Sequence, residues 1–137
     1  MSRGLLDTST LILLGRVTDI AALPDELLIS SITLAELSVG PLVATNDDDR
    51  AARQAHLQLA EADFQALPFD DAAARAFGSV AASLRASGRK PTARSYHTMN
   101  DAMIAAVAIA NDLTLYTCSP RDFAAIVGLR VIRVDFE

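Results

Sequence analysis

The chain has 137 residues, 51% hydrophobic and 21% charged, which suits one domain with a real core and marks a globular chain, not a disordered one. A net charge of -5 argues against a strongly basic nucleic-acid binder, and the lone Cys118 excludes an intrachain disulfide. The longest apolar stretches, such as Met103 to Ala110, are too short to span a bilayer, and Met1-Ser2-Arg3-Gly4 lacks the order of a signal peptide. A cytoplasmic protein with no membrane contact is expected, in keeping with a reducing compartment.

Gly4 to Leu6 is short and apolar and runs into Asp7-Thr8-Ser9, which reads as a buried first strand ending at a helix cap. Thr10 to Arg16 follows as a short helix or turn, and Pro24-Asp25 punctuates the approach to a second strand, Leu27 to Ser30. Thr33-x-x-Glu36 fits a capping box, with Thr33 as N-cap, and Gly40-Pro41 should break or kink the helix that follows.

The acids Asp47, Asp48 and Asp49 suit the positive end of a helix reaching to about Asp63. Neighbouring helical residues point to different faces, so this triplet reads as structural and not as a metal site. Ala66 to Phe69 is a link or brief strand, and Asp70 caps a long helix striped by Ala73, Ala76, Phe77, Val80, Ala81 and Leu84. Ser87-Gly88 ends it, and residues 89–97 read as a loop.

Thr98-x-x-Asp101 opens the most apolar helix, Ala102 to Ala110, which should be buried nearly all round. Leu113 to Thr117 is a strand. Ser119-Pro120 starts another helix, with Ser119 as cap, and Gly128 stops it before a last strand, Val131 to Val134. This order, with no repeat or linker, predicts one α/β domain over residues 1–137 with a mainly parallel sheet.

Four acids stand out: Asp7, Glu36, Asp101 and Asp122. Ligands of open parallel sheets bind at the carboxyl ends of strands, where the following helices begin. Asp7, Glu36 and Asp122 fall there by rule, and Asp101 opens the most buried helix. Taken singly, Glu36, Asp101 and Asp122 fit capping boxes as well as they fit ligands. Asp7 follows Leu5-Leu6 and has no such box. Clustered carboxylates repel one another and persist best around cations, and oxygen-only donors suit Mg²⁺ or Mn²⁺. Zinc is not expected, because Cys118, His56 and His97 show no ligand spacing.

Residues 1–70 carry 4 basic and 11 acidic side chains, and residues 71–137 carry 8 and 6. Arg85, Arg89, Lys90 and Arg94 form a basic cluster without acids. Alone it reads as a solvated helix end and loop; a phosphate-rich substrate could also approach there.

The chain resembles PIN domains, and specifically the VapC-type ribonuclease toxins of toxin–antitoxin pairs. The resemblance rests on Leu6-Asp7-Thr8-Ser9, Thr33-Leu34-Ala35-Glu36-Leu37, Asn100-Asp101-Ala102-Met103-Ile104-Ala105-Ala106 and Leu115-Tyr116-Thr117-Cys118-Ser119-Pro120-Arg121-Asp122-Phe123. It implies a three-layer α/β/α sandwich with a mainly parallel central sheet and a helical arm, about Arg50 to Ser87. It also implies Mg²⁺-dependent (or Mn²⁺-dependent) hydrolysis of RNA, a cognate VapB-like antitoxin and a homodimer. Asp7 and Asp101 would be metal ligands, and Glu36 would bind metal and position the attacking water. Thr8, Ser9 and Ser119 would hold the carboxylates by hydrogen bonds. The family commonly has Asn or Asp where this chain has Ser119, which leaves Asp122 as the one carboxylate of that segment. The rival reading is a PIN-fold RNA- or protein-binding domain with little or no catalysis.

Overall fold

Apolar residues alternate in facing along each strand, so a strand flanked by apolar neighbours must be covered on both sides. In the computed structural model, which describes residues 2–88 and 96–137, this requirement produces five parallel strands between two helical layers. The strands are β1 (Arg3–Leu6), β2 (Glu26–Ser30), β3 (Gln65–Leu67), β4 (Thr114–Thr117) and β5 (Val131–Arg133). Their order is β3-β2-β1-β4-β5, with β1 central. Leu5 pairs with Leu28 and with Leu115, and these three enter one core with Val80, Leu84, Ile104 and Phe123. Leu6, Ile29 and Tyr116 face the other way and meet Leu11, Leu37 and Ala60.

The helices are α1 (Thr8–Ile12), α2 (Ser31–Val43), α3 (Asp47–Asp63), α4 (Asp71–Ala86) and α5 (Tyr96–Ala110). α4 and α5 pack together on the Leu5 face, and α2 pairs with α3. Ala60 of α3 lies in the core of the Leu6 face, so β3 divides the expected arm into helices on opposite faces. The α/β/α sandwich expected from the sequence is the fold observed.

Several local expectations change. The N-cap of α2 is Ser30, whose hydroxyl accepts from the Thr33 amide at 3.3 Å, so Thr33 and Glu36 form no capping box. Pro41 does not end α2; it is buried inside it. α5 begins at Tyr96, two residues before the expected cap, which puts Asp101 in its second turn. Ser119 makes no side-chain cap, and the helix expected after it is a 3-10 turn, Pro120–Phe123. Gly128, with φ of 87°, then turns the chain toward β5, a conformation glycine adopts without strain. The Asp47 to Asp49 run is structural as expected: Asp47 pairs with Arg50 and Asp49 with Arg53. No helix among the described residues is long and apolar enough to cross a membrane.

Candidate active site

The chain reverses its lateral direction between β1 and β4, since β2 and β3 lie on one side of β1 and β4 and β5 on the other. Parallel sheets open a crevice at the carboxyl ends of the strands where that reversal occurs. Asp7 sits at the end of β1, beside the end of β4. It is the N-cap of α1: its Oδ1 accepts from the Thr10 amide at 3.2 Å. Its Oδ2 accepts from the Thr117 hydroxyl at 2.7 Å, across the switch point, and from Ser9 at a long 3.5 Å. Only 3% of Asp7 is exposed. Burial raises its pKa, and the hydrogen bonds from Thr10 and Thr117 oppose the rise.

Thr117 is itself held, because its hydroxyl accepts from the Ser119 amide at 2.9 Å. The Thr10 hydroxyl accepts from the Cys118 amide at 2.9 Å, a second tie between α1 and the end of β4. On the other side of Asp7, the Thr8 hydroxyl donates to Glu36 Oε1 at 2.6 Å and lies 3.0 Å from the Thr33 hydroxyl. Glu36 is thereby oriented by α1 and not by the start of its own helix.

Asp7, Glu36, Asp101 and Asp122 all line one cleft of about 500 Å³, with Thr8, Ser9 and Ser119 among its walls. The structure therefore brings together four acids that are far apart in sequence. Glu36 and Asp101 are partly buried, and Asp122 is exposed on its 3-10 turn.

The model of the PIN domain family matches residues 4–128. Ribonuclease VapC5 of Mycobacterium tuberculosis is 42% identical over 96% of this chain and 95% of its own length. Ribonuclease VapC4 of the same organism is 33% identical over 77% of this chain and 75% of its own. A crystal structure of the VapBC-5 toxin–antitoxin system from M. tuberculosis superposes with a TM-score of 0.81 at 39% identity, covering 98% of this chain and 100% of the matched one.

The chain is a PIN domain of the VapC family.

In this PIN domain, no three His, Cys, Asp or Glu side chains among the described residues converge closely enough to hold an ion as they stand. The fit of a divalent metal rests on donor chemistry: carboxylate oxygens on one cleft, one of them buried where its burial disfavours the charge that a cation would stabilise.

The same cleft holds three residues that sequence reasoning did not assign to it: Arg53 and His56 on α3, and His97 in the first turn of α5. His56 and His97 look scattered along the chain, and only the packing of α3 against α2 and the early start of α5 bring them to one place. Thr117 was also missed; its signal was a hydroxyl at the last residue of a strand neighbouring Asp7. Of the basic cluster, Arg85 is exposed in the last turn of α4 and does not line the cleft. Arg89, Lys90 and Arg94 lie outside the described residues. Burial pushes the Cys118 thiol up in pKa, which keeps it protonated and fits the inert role read from sequence.

Proposed function

We propose that the protein is a metal-dependent endoribonuclease, the toxin of a toxin–antitoxin pair. The observation that carries this reading is the meeting of Asp7, Glu36, Asp101 and Asp122 on one cleft at the switch point of the sheet. The relatives called ribonucleases support the reaction class, and the matched toxin–antitoxin structure supports the partner.

Asp7, Asp101 and Glu36 are the residues to hold Mg²⁺ or Mn²⁺. When bound, the metal would lower the pKa of a water and offset charge on the phosphoryl oxygens. The chain's own part is positioning. Thr10 and Thr117 fix one oxygen each of Asp7, and Thr8 fixes one oxygen of Glu36, the residue that would position the attacking water. Ser119 and Asp122 close the side of the cleft formed by the end of β4. The antitoxin would cover an exposed apolar strip at the end of α2, where Val39, Leu42 and Val43 are 43%, 84% and 58% exposed. Leu37 belongs to the core and not to that strip. The toxin is expected to be a homodimer, acting in the cytoplasm.

The test is cleavage of RNA by the purified protein with Mg²⁺, stopped by EDTA. Asp7→Asn and Asp101→Asn should each lower kcat/KM by roughly 100-fold or more while leaving the fold intact. Near-normal Mg²⁺-dependent cleavage by Asp7→Asn would overturn the reading.

A further inference from the structure

We infer that Arg53 is a substrate-positioning residue that grips a phosphate of the RNA neighbouring the one that is cut, an inference resting on the ribonuclease reading above. The cleft presents four carboxylates to a polyanionic substrate. A metal would offset that charge only where it sits, so the flanking phosphates need a separate source of attraction. Among the described residues that line the cleft, Arg53 is the one with a permanent positive charge.

Its seat is built by two helices. The Arg53 Nε donates to Asp49 Oδ1 at 3.0 Å, one turn earlier on α3. Its Nη1 donates to the Gly40 carbonyl at 3.3 Å. That carbonyl is among the last four of α2, which have no partner within their own helix. A Cβ at Gly40 would lie 3.3 Å from both Cβ and Cδ of Arg53, so the absence of a side chain there lets the arginine stem lie against α2. A glycine inside a helix costs stability, and here it makes room for this contact.

The two tethers use two of the guanidinium's five donors and hold its plane, while the side chain remains 41% exposed. A planar fork fixed in advance suits two phosphate oxygens. His56 follows one turn later on the same face of α3 and lines the same wall, extending the polar track along it. A role limited to capping α2 would not require Arg53 to line the cleft that the carboxylates share.

The experiment measures kcat and KM for a short single-stranded RNA bearing a mapped cut site, at saturating Mg²⁺ and several salt concentrations, with thermal melts in parallel. Arg53→Gln should raise KM roughly tenfold with kcat nearly unchanged, and reduce the salt slope of log(kcat/KM) by about 0.7, the loss of one single-strand phosphate contact. Arg50→Gln, on the same helix but turned to a separate groove with Pro41 and Leu42, should change neither KM nor slope. Should Arg53→Gln fail to fold, Arg53→Lys keeps the charge but loses the fork; it should raise KM a few-fold with the wild-type slope, and a wild-type KM there overturns the assignment. A lowered melting temperature in Arg53→Gln with unmoved KM and slope would leave Arg53 a helix cap and overturn it as well. Wild-type protein that cuts no RNA overturns the ribonuclease reading itself; normal wild-type cutting with an unmoved Arg53→Gln overturns the arginine assignment alone.

Discussion

Asp7 caps α1 with one oxygen and takes the Thr117 hydroxyl with the other, at 3% exposure. Its pKa is raised by burial, so the folded chain holds this proton more tightly than the unfolded chain does. Without metal, that contribution to stability is present below about pH 4 and is lost as pH rises through the raised value. Asn at this position can still cap through its oxygen, and its amide can donate to Thr117 Oγ1, which keeps the Ser119 amide bond. Asp7→Asn should therefore melt no lower than wild type at pH 7 in EDTA, with any advantage vanishing near pH 4, while cleavage is lost. A variant that melts well below wild type at pH 7 would refute this account of the carboxylate. Removing the Thr117 hydroxyl acts in the opposite sense. Thr117→Val deletes a bond that favours the ionised acid, so the acid limb of the pH–rate profile should move upward, and Thr117→Ser should restore it. The sequence displayed Asp7 but hid these partners, because the Thr117 bond spans 110 positions of the chain.

Helices whose starts are written in local chemistry were the legible elements. Asn46 and Asp70 accept from the amides three residues on, at 2.8 and 3.0 Å, and both helices begin where polar caps meet acids. Asp70→Ala should cost about 1 kcal/mol in a denaturant melt and leave KM unchanged, since Asp70 lies outside the cleft. A KM change as large as that of Arg53→Gln would show that α4 reaches the site. Where the pattern misled, tertiary bonds had taken over the side chains that suggested a cap. Glu36 and Thr33 fit a capping box by spacing, yet both are drawn to Thr8 of another helix. Asp101 fits one too, although its helix begins at Tyr96. Pro41 sits in the last turn of α2, where a missing amide donor breaks one bond and the helix is about to end. The grouping of His56, His97 and Arg53 with the acids was illegible because it depends on helix packing.

The central strand ties the whole molecule to the cleft, since β1 delivers Asp7 and pairs with β4, which delivers Thr117. Gly4 is the point of closest approach. A Cβ there would collide with the Tyr116 ring and lie 2.9 Å from Pro24. Tyr116 immediately precedes Thr117, so a shift of β4 that relieved the clash would move the group that donates to Asp7. Gly4→Ala should cost roughly 1–3 kcal/mol through overpacking, and should lower kcat as well, because β4 cannot yield without disturbing its carboxyl end. A double-mutant cycle separates this cause from the backbone freedom of glycine. If the ring is the obstacle, Tyr116→Leu should cost less in the Gly4→Ala background than in wild type, by at least about 0.5 kcal/mol. Strict additivity would place the penalty in the strand backbone and break the proposed link between the packing of β1 and the geometry at Asp7.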